Sequence, residues 1–292
     1  MTSFATKQFD PLDGLRDDLQ GRIHEATLEL PVIPAMAHEV LKLSADPSQG
    51  VMDLAKLIQR DATLCAHLLR AANSPLYGIS REIVSVRQAV SVLGTDTISQ
   101  IAMSVALQSA VFGTPIFHDE LRQCWKYSLA AGFFAKEIAR ALRANVESSF
   151  LCGIMANIGE PVVLTEIARY CQREGLPHDV IAPSVMEIVA EFNHKAGHLL
   201  AIQWRLPAVV QATVAFDPSN VDLSVPSQEH VDTILASQLA VAFAVHTMTP
   251  DLLDEETLRQ HPQVADLSIY PEVLEVILAR RDAIGAGVNV LS

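Results

Sequence analysis

Along most of the chain the apolar positions recur at intervals of three and four, the period of a helix with one buried face. Ala55, Ile58, Ala62, Cys65, Leu69 and Ala72 form one such stripe, and Asp61, just after Arg60, stands where a new helix needs an N-cap. Val86, Val90 and Leu93 form a second stripe, continued past Gly94 by Ile98, Ile101 and Val105. The Leu93-Gly94-Thr95-Asp96 step therefore stops one helix and caps the next. Further helices are expected over about 119–142, 147–169, 185–202, 207–216 and 229–247. Pro271 opens a last one that ends by Gly285. No stretch alternates as a half-buried strand does, so the expected fold is all-α.

Gly113-Thr114-Pro115 joins two helix breakers at the end of a strongly apolar run, which places the seam between two helical lobes there. The prolines and serines of 217–228 mark a second break, a loop. The expected organisation is an N-terminal extension over 1–27, an N-terminal helical lobe over 28–114, a second helical lobe over 115–250 and a helical tail over 251–292. No fixed-period repeat is visible, which argues against a solenoid.

Composition narrows the function. Of 292 residues 50% are hydrophobic and 19% charged, with a mean hydropathy of +0.25, so some apolar surface is expected to face a partner. Against 34 acidic residues stand 21 Lys and Arg, a net charge of -13 that repels nucleic-acid backbones. Arg140 with Arg143 and Arg280 with Arg281 are isolated pairs on solvated faces and do not make a basic patch, so no nucleic-acid partner is expected. The most lipid-like stretch, Thr233 to Met248, is broken by Ser237, Gln238 and His246 and is shorter than the roughly 20 residues of a membrane span. The first residues carry Asp10 and Asp13 and lack a secretory apolar run, so a cytoplasmic protein without a membrane partner is expected. Cys65, Cys124, Cys152 and Cys171 show no C-x-x-C spacing and read as small core hydrophobes.

Three stretches carry chemistry or its trace. Leu151-Cys152-Gly153-Ile154-Met155-Ala156-Asn157-Ile158-Gly159 has glycines framing an apolar helix and carries Ala156 and Asn157 near its end, of which alanine donates nothing to a metal and the amide is a neutral, weak ligand. In Arg70-Ala71-Ala72-Asn73-Ser74-Pro75-Leu76-Tyr77-Gly78, Asn73 and Ser74 can satisfy helix-end groups while Pro75 bars continuation. His194 and His198 stand four apart on a helix, where two imidazoles can share a face, yet Lys195 occupies the place where a zinc protease needs Glu. His67, His230 and His246 sit singly on apolar stripes as core histidines. Phosphate-binding glycine loops and the Gly-x-Ser-x-Gly nucleophile turn are missing from the sequence.

Together with Leu30-Pro31-Val32-Ile33-Pro34-Ala35, Ser85 to Gly94, Trp125-Lys126-Tyr127-Ser128-Leu129-Ala130, Asn193 to His198 and Trp204-Arg205-Leu206-Pro207, these stretches resemble the HD-related output domain (HDOD) family from about Leu28 to Thr247. The resemblance implies a helical N-terminal bundle packed on a degenerate form of the HD phosphohydrolase bundle. Catalytic members of that superfamily bind metal through histidines, a His-Asp pair and a late Asp. Carried over one by one, the first His corresponds to Tyr127, the His-Asp pair to Ala156 and Asn157, a pair of histidines to Ala215 and Phe216, and the late Asp to Ser237, or to Gln238 after a one-residue slip. His194 alone keeps an imidazole, so no metal and no cofactor is expected.

The leading reading that the resemblance implies is a non-catalytic bacterial signalling module acting through contacts with partner proteins. No receiver or diguanylate cyclase domain is present in the sequence, so input is expected to come by binding. A second reading is a sensor whose former metal pocket, lined by Tyr127, Asn157 and His194, takes a nucleotide or other small molecule; a metal-dependent phosphohydrolase ranks last. The expected working surface lies around Arg70, Asn73, Ser74, Tyr77 and Arg87, because Arg and Tyr are enriched where interfaces concentrate binding energy. The competing assignment has Arg70 and Tyr77 bonded to local backbone, locking two helices together.

Overall fold

The carboxylate of Asp61 accepts a hydrogen bond from Leu64 N at 3.0 Å, which separates helix α2 (Val51–Gln59) from α3 (Ala62–Ala72) as its position requires. The computed structural model describes residues 11–33, 35, 38, 39, 51–112, 117–177, 181–217 and 228–292. Every regular element among them is helical. The proposed lobe seam at 113–115 and most of the 217–228 loop lie outside the described residues.

A short 3-10 turn, Pro75–Tyr77, leads from α3 toward α4 (Val86–Leu93), where Ser85 accepts from Gln88 N at 3.2 Å as N-cap. Gly94 is at once the end of α4 and the start of α5 (Thr95–Val111), without a side-chain cap from Thr95 or Asp96. Helices α2 to α5 pack on one another. Helix α6 (His118–Leu142) runs through the remainder of the molecule and packs against both α7 (Val146–Met155) and α11 (Gln228–Met248). Stacked Phe134 and Phe243, with ring centres 5.0 Å apart, fix the α6–α11 pairing. Helix α8 (Gly159–Glu174) lies on α9 (Val185–Gln203), and α9 on α10 (Ala208–Ala215). Two stretches, Val146–Glu174 and His230–Met248, are long and apolar enough to cross a membrane. In this fold they are core material, with 78% and 56% of their apolar windows buried.

Two segments fold differently from their sequence pattern. The apolar run expected to be one helix over 147–169 is broken at 156–158, where α7 ends and α8 begins. The helix expected from Pro271 to Gly285 is instead α14 (Pro271–Leu278) followed by α15 (Arg281–Leu291), which continues through two glycines. A side chain at position 287 would place its Cβ 2.8 Å from that of Leu76, so the close approach of α15 to the 75–77 turn makes glycine useful there despite its helical cost of about 1 kcal/mol. Before α14 come two short helices, α12 (Glu255–Arg259) and α13 (Pro262–Asp266).

The N-terminal segment is also more than an extension. Helix α1 (Pro11–His24) rests on α8 and α9 and is tied to them by charge. Arg16 meets Glu187 at 2.7 Å and Glu191 at 3.0 Å, and Asp18 meets Arg173 at 2.7 Å. Beneath them the Glu166 carboxylate, only 1% exposed, is held between the guanidiniums of Arg22 and Arg169. A buried carboxylate is tolerable because both partners come with it. Cys124, Cys152 and Cys171 are buried and Cys65 half-buried; burial pushes the Cys152 thiol up to about 12, as suits a packing residue.

Candidate functional site

The break between α7 and α8 is where the sequence places its lost chemistry, and helix packing explains its shape. A Cβ on Gly159 would lie 1.8 Å from the carbonyl oxygen of Asn193, and one on Gly153 would lie 2.6 Å from the carbonyl oxygen of Ala131. Both glycines are therefore contact points where α8 meets α9 and α7 meets α6. The frame of the motif is kept by backbone proximity, which needs no metal.

At this junction the structure brings Asn157 to Asn193 on α9, and the adjacent His194 to Val214 on α10, one residue before the 215–216 pair. Asn193, a residue the sequence does not single out, donates from Nδ2 to Oδ1 of Asn157 at 3.3 Å. His194 Nδ1 lies 3.2 Å from the carbonyl oxygen of Val214, to which it donates. Ala156 is buried and offers no donor; Phe216 is buried too, while Ala215 faces solvent. The Ser237 hydroxyl is fully buried and turns back onto its own helix, donating to Thr233 O at 2.8 Å.

Tyr127 is directed elsewhere. Its hydroxyl is paired with that of Thr249, just past the end of α11. Ser237 lies twelve residues earlier on the same helix, roughly 18 Å away at helical rise, so Tyr127 and Ser237 do not line one ion-sized pocket. The structure also shows a group that periodicity hides among core positions: Glu160 meets the Cys124 thiol between α8 and α6, and burial raises its carboxyl above the ordinary range.

A metal is what the HD resemblance implies for this junction in catalytic relatives, and the donors present do not fit one. Among the described residues no three His, Cys, Asp or Glu side chains come close enough to hold an ion. One imidazole beside a neutral amide and a phenylalanine lacks the charge that a divalent cation requires.

The second candidate surface divides. Asn73 is bonded on three sides, from Nδ2 to Leu69 O and Ile83 O and from Ile83 N to Oδ1, each at 2.8 Å, so it closes α3 and pins the loop that follows. Ser74 is buried, as is the Tyr77 hydroxyl, whose pKa burial raises. Helix α15 lies over the turn, and Arg280 Nη2 donates to Leu76 O at 3.2 Å. Arg70 and Arg87 stay exposed. Of the core histidines, His246 is bonded to Leu253 O at 2.9 Å through Nδ1, whereas His67 Nδ1 is buried without a partner.

Known proteins are similar to this chain in sequence or in fold. A protein of Treponema pallidum (strain Nichols), described as uncharacterized, is 27% identical over 240 residues, which cover 78% of this chain and 44% of that protein. The chain thus spans less than half the length of this relative. A crystal structure of an HDOD domain protein of unknown function from Geobacter sulfurreducens is 20% identical with a TM-score of 0.70, over 96% of this chain and 99% of that one. Another from Shewanella amazonensis SB2B, named provisionally as a metal-dependent phosphohydrolase, is 22% identical with a TM-score of 0.69, over 96% and 100%. At such identities the likeness speaks for the fold. The HDOD domain family model matches residues 30–219, from the start of the first N-terminal motif to beyond the α7–α10 junction, and the chain belongs to that family.

Proposed function

We propose that this HDOD protein is a non-catalytic regulatory module of a bacterial signalling system, working through contacts with signalling proteins in the cytoplasm. The observation that carries the reading is the loss of charge at the α7–α10 junction. Ala156, Asn157, Phe216 and Ser237 stand where a phosphohydrolase needs imidazole or carboxylate, and Asn157 and His194 have hydrogen-bond partners of their own. Without a Lewis acid nothing there lowers the pKa of an attacking water, so hydrolysis has no source of nucleophile. The name of the Shewanella structure suggests the opposite chemistry, but a shared fold does not carry an activity whose ligands are missing. A ligand sensor at the same junction is less well supported, since its polar groups are largely taken and Tyr127 has turned away.

The contact surface on this reading is the exposed part of the N-terminal helices, Arg70 and Arg87 with the outward Val84 and Val92, 69% and 52% exposed. Elemental analysis of the protein purified from manganese- and iron-supplemented cells, beside a phosphodiesterase assay on cyclic dinucleotides, tests the reading. Substoichiometric metal and no hydrolysis are expected. One equivalent of metal, with an activity abolished by His194→Ala, would overturn it.

A further inference from the structure

A cleft of ≈ 690 Å³ opens between α3, α5 and the end of α15, far from the α7–α10 junction in sequence and sharing no residue with it. Its volume is in the range of small-molecule sites, roughly 300–1,000 Å³. Leu64, Val105 and Leu291 give it apolar walls. Its polar lining includes His67 and Arg70, one turn apart on α3, together with Gln108, Ser109 and Ser292. Among the described residues the Arg70 guanidinium has no hydrogen-bond or ion-pair partner, and His67 Nδ1 is closed off from solvent without one. Asp61, on the same rim, has its carboxylate engaged in capping α3. Burial and then the charge of Arg70 lower the His67 pKa, which favours the neutral ring beside the guanidinium.

We propose that this cleft binds one small amphipathic molecule carrying a single anionic group, with the anion on Arg70 and His67 and the apolar body against Leu64, Val105 and Leu291. The unpaired guanidinium selects an anion, since its planar fork matches carboxylate, sulfonate or phosphate oxygens. A net charge of -13 and the neighbouring Asp61 oppose a polyanion, which restricts the ligand to one charge and leaves the apolar walls to supply the remaining affinity. Because α15 forms one wall and also covers the 75–77 turn, a seated ligand couples α3 and α5 to the element that packs on α6. The site goes beyond the protein-contact reading and stands whether or not that reading does.

Titration with 8-anilinonaphthalene-1-sulfonate, a monoanionic aromatic probe, tests it. One saturable site with enhanced fluorescence is expected. Arg70→Ala should weaken binding about ten-fold, the loss of a charge-assisted hydrogen bond, and Arg70→Lys should weaken it less. Leu291→Asp should abolish binding, and the exposed Arg122→Ala should leave it unchanged. Octanoate should displace the probe and inorganic phosphate should not. Circular-dichroism melts accompany each variant; if Leu291→Asp melts early, the Arg70 pair decides, because Arg70 is exposed. Absence of saturable binding, undiminished affinity in Arg70→Ala, or displacement by phosphate as effective as by octanoate overturns the proposal.

Discussion

The α7–α10 junction and the cleft on α3 are both places where this chain gathers polar side chains inside apolar surroundings, and they differ in how much of that polarity is already engaged and how much open space adjoins it. At the junction Asn157 is bonded to Asn193, His194 to the Val214 carbonyl and Ser237 to its own helix. In the cleft Arg70 and the buried nitrogen of His67 have no partner among the described residues. Leaving a buried polar atom unpaired costs about 1–3 kcal/mol, and Asn193 Oδ1 at the junction bears that cost as His67 Nδ1 does in the cleft; what sets the cleft apart is its open volume and the exposed, unpartnered guanidinium of Arg70. At the positions that the resemblance matches to metal ligands, Asn157, His194 and Ser237 are bonded to their neighbours. The family's best-known landmark is therefore the quieter of the two regions, and the less conspicuous helix stop lies beside the more open one.

The sharpest way to break this contrast is to disturb the packing that defines the junction. Gly159→Ala directs a Cβ to within 1.8 Å of the Asn193 carbonyl, backbone that cannot rotate away, and is expected to cost about 3–5 kcal/mol or prevent folding. A thermal melt close to wild type would show that α8 and α9 are free to slide apart, and the junction would then be adaptable. Next in size is Glu166→Ala, which leaves Arg22 and Arg169 facing each other across a partly buried space and should cost about 3 kcal/mol in urea unfolding. An unchanged midpoint would mean that α1 is not anchored there.

Restoring the lost His-Asp pair tests the junction itself. Ala156→His with Asn157→Asp places an imidazole and a carboxylate among groups that no longer complement them, and without added metal is expected to cost about 1–3 kcal/mol. A higher melting temperature would argue that the space is still open. The smallest effect concerns the contact between the two regions, where the buried Lys136 Nζ donates to Gln100 Oε1 of α5 at 2.6 Å. Burial, then the charge of Arg140, lowers this lysine from 10.5 to about 8. The unfolded chain then binds more protons than the folded one between those values, so stability should rise as pH goes from about 8 to about 10.5. Lys136→Met should lack that slope in a pH series of denaturant melts; an identical slope would place the titration elsewhere.

Local chemistry was legible in the sequence wherever it acts over a few residues. The three-four spacing set the all-helical fold, Asp61 announced the start of α3, and the order of short motifs was enough to point to the HDOD family. That Ala156 and Phe216 offer no metal-ligating group is visible in the sequence, because a side chain without a donor needs no geometry to be noticed. What the sequence by itself could not reveal depends on partners distant in the chain. The break at 156–158 follows from the contact of Gly159 with Asn193, and the burial of Ser74 and the Tyr77 hydroxyl accompanies the docking of α15 on the turn, with Arg280 reaching Leu76 across 204 positions. Tyr127 and Ser237 were separated, and Asp61, His67 and Arg70 joined to Leu291, by the same cause. Helix periodicity and capping are satisfied within one or two turns, so neighbouring residues encode them; which polar atom finds a partner, and which is left facing an open space, is fixed only when distant helices pack.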